Sequence, residues 1–133
     1  MPRIFRVMRK DGDNKPSVGQ GYCQLGVRLN EIDMDEEGNA IKNHKGMSVS
    51  PAWQVSSLFV LPKRLGTGGR GKDNGHCFRR GTDKFQQGPC GNGLELLPDS
   101  VTHGVVRPAQ VTPITIFLQN LANTRDEWEI DET

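Results

Sequence analysis

The chain has 133 residues and a mass of 14.7 kDa, enough for one core and too little for two, so residues 1–133 are expected to form a single domain. Lys and Arg number 17 against 16 Asp and Glu, a formal charge of +1 that excludes a generic polycationic nucleic-acid binder and an acidic tail; any nucleic-acid role needs a local patch. No apolar run approaches the roughly 18 residues of a membrane span, the opening MPRIFRVMRKDG has no apolar signal core, and three cysteines without CxxC spacing point to a reducing cytoplasm.

Only 34% of the residues are apolar and 6% aromatic, while 16 glycines and 8 prolines call for many turns, short strands and few helices. Arg3-Ile4-Phe5-Arg6-Val7-Met8 is a β-favouring hexamer and predicts a first strand, which leaves through the turn-rich loop KDGDNKPSVGQG. Tyr22 to Leu29 has scattered apolar residues, and NEIDMDEEGNAIKNHKG lacks any apolar period, so an exposed loop is expected there, its acidity a matter of solvation. KGMSVS alternates like a strand and puts Ser48 and Ser50 on one face. Ser50 then reads as an N-cap and Pro51 as a first helical residue, with Ala52, Val55 and Phe59 on one stripe, which predicts a short helix over 51–59.

Residues 63–93 hold more than half of the glycines and little periodicity, so loop or loosely turned hairpins are expected. GTGGRGK is no phosphate-binding loop, because Asp73 rather than Ser or Thr follows Lys72 and no helix pattern opens there. A partner-binding loop carrying Lys63, Arg64, Arg70, Lys72, Arg79 and Arg80 and an exposed linker are equally compatible with this composition. Residues 93–98 read as a strand with Glu95 turned away from its apolar neighbours, and 102–107 as another. Thr112 can cap a helix that starts at Pro113 and places Ile114, Phe117, Leu118 and Leu121 on one face, ready to pack on a sheet; Trp128 is the apolar anchor of the polar end.

The fold class from this pattern is α+β, with chemistry carried by strands and adjoining loops. Arg6 stands among apolar neighbours, where a guanidinium calls for an anion or a partner, although an exposed edge-strand arginine gives the same pattern. Ser48 can bond a ligand hydroxyl or amide, or simply the backbone. His103 is a polar ring in the apolar run VTHGVV, where a satisfied structural histidine is the plainer explanation. His76, Cys77, Cys90 and His103 match no common closed metal site.

The stretches IFRV, GMSVS and THGVVRPAQVTPITIFLQNLAN, in that order, resemble the ADP-ribosyltransferase-like toxins delivered by bacterial type VI secretion systems. In that family an arginine lies on the first strand after an apolar-aromatic pair, a Gly-x-Ser-Val strand follows the variable middle, and a Thr-His strand runs through Pro-Ala into a helix. Arg6, Ser48 and His103 occupy the matching positions and are the catalytic residues that the resemblance implies; together with Gly46, which would let a ligand approach closely, they are also the implied NAD-binding set. The implied fold is ADP-ribosyltransferase-like, two small β-sheets around a cleft with few short helices. Arg6 would pair with a pyrophosphate oxygen, Ser48 with the nicotinamide ribose and His103 with the adenosine side. The wider family pattern includes a Glu-x-Glu or Gln-x-Glu carboxylate pair; the glutamate on a plausible inner strand is Glu95.

Two classes of function follow. The first is an NAD-dependent toxin acting in the cytosol of a target cell, with a cognate immunity protein that plugs the cleft. The second is a non-catalytic module on the same fold that binds nucleotide, RNA or protein through the basic glycine-rich segment. A tRNA 2'-phosphotransferase-like enzyme is a close relative of the first.

Overall fold

The computed structural model describes residues 1–133, and its first strand falls where the chain is richest in β-favouring side chains. In chain order the elements are β1 (Ile4–Arg9), β2 (Asn39–Ala40), β3 (Met47–Val49), β4 (Gly75–Arg80), β5 (Gly88–Pro89), β6 (Leu94–Pro98), β7 (Gly104–Pro108), β8 (Thr112–Pro113), α1 (Ile114–Ala122) and β9 (Glu129–Ile130), with short 3-10 turns between some of them. One sheet has the order β1-β4-β9, a second β3-β7-β6-β5, and β2 and β8 form a two-stranded ribbon; the paired strands are antiparallel. Small antiparallel sheets with one helix make the architecture α+β. No helix is long and apolar enough to cross a membrane.

The main core draws on both sheets and the helix. Ile4 and Met8 of β1, Phe78 of β4, Met47 and Val49 of β3, Leu94 and Leu96 of β6, and Phe117 and Leu121 of α1 meet there with Trp128. A smaller cluster of Val7, Cys23, Leu61 and Cys77 covers the opposite face of β1 and β4. Covering both faces removes the in-out alternation of a half-exposed strand, which is why β1 reads as a near-continuous apolar run. The two sheets join at one point, where Phe5 and Ser50 exchange backbone bonds of 2.7 and 2.9 Å. Beyond that bridge the edges of β1 and β3 part, and a cavity opens between them.

Several sequence expectations need correction. The helix over 51–59 does not form: Ser50 is extended and paired with Phe5, a 3-10 turn covers Trp53–Val55, and Ser56 is already extended. Its apolar stripe faces no partner, with Val55 and Phe59 exposed, and so short a helix is marginal without one. Ser50 therefore caps nothing. Thr112 does not cap α1 either; it belongs to β8, and the first helical N–H, that of Ile114, donates to the Gly38 carbonyl at 3.0 Å. Residues 63–93 are more ordered than their glycine content suggests, because they contain the central strand β4. Within it, Arg80 is buried, with Nη1 bonded to the Cys90 carbonyl and Nη2 to the Glu127 carboxylate, while its Nε has no partner.

The helix itself, with Phe117 and Leu121 inward, and the Trp128 anchor match expectation. The indole N–H of Trp128 donates to the Thr124 hydroxyl at 2.9 Å, which donates on to the Leu121 carbonyl at 2.7 Å. Trp128→Ala is expected to cost about 3–5 kcal/mol of unfolding free energy, as a large cavity and a broken buried bond combine. Urea denaturation checks this, and a loss below ~1 kcal/mol would place the anchor elsewhere.

Candidate functional site

The cavity at the divergence of β1 and β3 has a volume of about 190 Å³ and is walled by Phe5, Arg6 and Val7 of the first strand, Ser48 and Val49 of β3, and Ser50 beyond it. Cys23, Arg28, Glu31, Ser56, Ser57, Val60 and His103 complete the wall. Arg6, Ser48 and His103, which are far apart in sequence, thus share one cavity. Gly46 does not line it.

Arg6 is held by backbone rather than by a counter-ion. Its Nε and Nη2 donate to the Gln24 carbonyl at 3.2 and 3.0 Å, and Nη1 donates to the Ser48 carbonyl at 2.8 Å. These three bonds leave part of the five-donor guanidinium uncommitted. No carboxylate lies within ion-pair distance of it, whereas Arg64, Arg79, Arg80, Arg107 and Arg125 each have one. Burial pulls the Arg6 pKa below the ordinary arginine value, opposed by the Glu31 and Cys23 side chains. A guanidinium remains charged at neutral pH even so. The result is a half-buried positive charge in a cavity wall, solvated by carbonyl dipoles and spare N–H groups.

Strand alternation explains Ser48: Met47 and Val49 enter the core, so Ser48 turns to the cavity. Its hydroxyl and those of Ser50 and Ser56 have no hydrogen-bond partner in the protein, while the Ser57 hydroxyl accepts from the Phe59 N–H at 3.3 Å. His103 stands in the turn before β7, half exposed, with Nδ1 at 2.8 and 2.9 Å from the two Asp99 carboxylate oxygens. An acceptor at Nδ1 holds the proton there and leaves Nε2 free. The cavity therefore collects a cation, three free hydroxyls and one imidazole nitrogen.

Sequence reasoning missed Arg28, Glu31 and Asp99. Glu31 ends the 3-10 turn Leu29–Glu31, where its Oε1 accepts from the Arg28 N–H at 3.3 Å and lies 3.7 Å from the Arg28 guanidinium. The charged stretch that begins at Asn30 carried no sign of this, because a carboxylate in such a run is usually solvated. Glu95 is not a cavity carboxylate; the strand register puts it on the same face of the second sheet as Ser48, but it binds Arg107 at 2.5 Å and does not line the cavity. The Glu-x-Glu spacing at Glu127 and Glu129 also falls elsewhere, with Glu127 on Arg80 and Glu129 on Arg79. Cys23 borders the cavity in a left-handed backbone conformation, φ 52°, and burial raises its thiol pKa. Burial likewise pushes Cys77 up to about 12 and Cys90 up to about 11, so all three thiols stay protonated near neutrality.

Comparison of the chain with family models, curated proteins and solved structures finds no match.

Gly46 has a structural reason for being glycine: a Cβ there would sit 2.3 Å from the Val106 carbonyl oxygen of β7. The close approach is to a neighbouring strand, not to a ligand. Gly46→Ala is expected to destabilise the protein by about 1–3 kcal/mol through the forced shift of β3 against β7, measured by urea denaturation; an unchanged midpoint would mean that the close approach to Val106 does not require glycine. Arg6→Lys keeps the charge but loses the planar fork, leaving a carbonyl of Gln24 or Ser48 unpaired at a cost of about 1–3 kcal/mol. Unchanged stability of that variant would mean that the three carbonyl bonds contribute nothing to the fold.

Proposed function

We propose that the chain is an ADP-ribosyltransferase-like toxin domain that binds NAD between its two sheets and acts in the cytosol of a target cell. The observation that carries the reading is convergence: Arg6, Ser48 and His103, matched to the family from three separate stretches, line one cavity with hydrogen-bonding groups uncommitted. Two small sheets diverging around a cleft agree with the architecture that the resemblance implies.

The donor set suits a dinucleotide. The spare N–H groups of Arg6 fit a phosphate oxygen, the Ser48 hydroxyl a ribose hydroxyl, and Nε2 of His103 a polar group of the adenosine half. At about 190 Å³ the cavity encloses one end of such a ligand, with the remainder lying along its mouth. NAD supplies a nicotinamide–ribose bond that weakens as positive charge grows on the ribose, and Glu31 is the wall carboxylate of the right sign to favour that charge. A neutralising partner protein would act by covering the mouth.

A second reading, a nucleotide-binding module without turnover, is favoured by one observation: Glu31 Oε1 is already engaged by Arg28. Expression in a bacterial cytosol and nicotinamide release by the purified protein separate the two. The toxin reading expects growth arrest, relieved by His103→Ala in a folded protein, and nicotinamide release cut about fivefold by Ser48→Ala with melting unchanged, since one neutral hydrogen bond is lost to the ligand and none within the protein. NAD binding without nicotinamide release would establish the second reading. Absence of NAD binding would end the toxin reading and leave only a module for another ligand.

A further inference from the structure

The glycine-rich segment is not a loose lid; it is laid back along residues 58–62. Arg70 N donates to the Leu58 carbonyl at 2.7 Å and Gly71 N to the Leu61 carbonyl at 2.9 Å. A Cβ at Gly71 would lie 2.0 Å from the Val60 oxygen, and one at Gly69 2.6 Å from the Leu61 oxygen, so glycine is what permits this contact. The contact brings the Arg70 guanidinium to 5.8 Å from the centre of the Phe59 ring. Beside it, the Tyr22 hydroxyl donates to the Phe59 carbonyl at 3.1 Å, and Arg28 and Lys72 stand 5.7 and 6.0 Å from the Tyr22 ring.

Phe59 is 71% exposed and Leu58 51%, so the chain spends backbone hydrogen bonds on holding a large aromatic ring in water. The cations of the segment divide into two groups. Arg64, Arg79 and Arg80 are taken by Glu132, by Asp131 and Glu129, and by Glu127. Lys63, Arg70, Lys72 and Lys84 are exposed and have no carboxylate partner, although the whole chain carries only +1. Arg28, Ser56, Ser57 and Val60 belong to both this surface and the cavity wall, so the patch borders the cavity mouth.

We propose that this surface binds single-stranded nucleic acid, with a base stacked on Phe59 against Arg70 and phosphates held by Arg70 and Lys72. Unpaired bases offer faces that a ring and a guanidinium can sandwich, and a strand brings negative charge at each step. An acidic peptide matches the cations but leaves the ring exposed. A duplex hides its base faces. The proposal stands on these residues alone and is independent of the NAD reading.

The test is fluorescence anisotropy of a labelled single-stranded RNA of about 12 nucleotides, a length within the range of small single-strand sites, against a duplex of the same sequence, polyglutamate and phosphatidylserine vesicles. Binding of the single strand is expected, weakened at least about fivefold by Phe59→Ala and retained by Phe59→Trp, as base stacking requires. Arg70→Ala and Lys72→Ala should each flatten the slope of log K against log salt by about 0.7, the value for one phosphate contact on a single strand. Phe59 packs on nothing that these substitutions would unfold, and a urea midpoint matching the parent protein confirms that the variants are native. No strand binding, binding indifferent to Phe59→Ala, equal displacement by polyglutamate, or association with vesicles in place of the strand would each overturn the proposal. None of these readouts involves NAD.

Discussion

The guanidinium of Arg6 is the fixed point of this molecule. It reaches from β1 to the Ser48 carbonyl of β3 and to the Gln24 carbonyl of the loop between them, tying three segments together where two sheets touch at a single bridge and then part. Without those bonds nothing polar would span the gap above the Phe5–Ser50 contact. The cavity exists because the sheets diverge, and it keeps its shape because one charged side chain links its walls.

The same side chain makes the cavity chemically unbalanced. A buried charge is tolerated when it is paired, and most of this protein's buried or half-buried arginines follow that rule: Arg107 on Glu95, Arg80 on Glu127, Arg79 on Asp131. Arg6 has only carbonyl oxygens, which solvate the charge without cancelling it. Glu31 lies in the same wall but is shared with Arg28, so the local excess remains positive. An anionic ligand would complete this arrangement, and the serine hydroxyls and His103 Nε2 supply the directional bonds that a bare charge lacks.

Much of this was legible in the sequence. The hexamer around Arg6, the alternation of Met47, Ser48 and Val49, and the spacing of Phe117 and Leu121 each follow from one apolar face meeting the core. The illegible parts have physical causes. In β4, Cys77 and Phe78 are buried on opposite faces and flanked by arginines and glycines, so neither the period of a strand nor its hydrophobicity shows. The stripe over 51–59 was helical in spacing but lacks a surface to cover it. Arg28 and Glu31 act through a 3-10 turn inside a charged run, and Asp99 reaches His103 across a turn; such pairings depend on backbone path rather than on residue type. Gly46 was readable as a close approach, but sequence alone does not say whether the neighbour is a ligand or, as here, the backbone of Val106.

The central claim is that the charge on Arg6 faces a nucleotide site shared with Ser48 and His103. A titration of isotope-labelled protein with NAD, followed by amide proton–nitrogen spectra, addresses it directly. The account expects saturable shifts centred on Arg6, Glu31, Ser48 and His103, around the cavity between β1 and β3. Spectra unchanged at millimolar NAD, or shifts confined to the separate polar cavity around Arg80, Gly91 and Asn120, would contradict it.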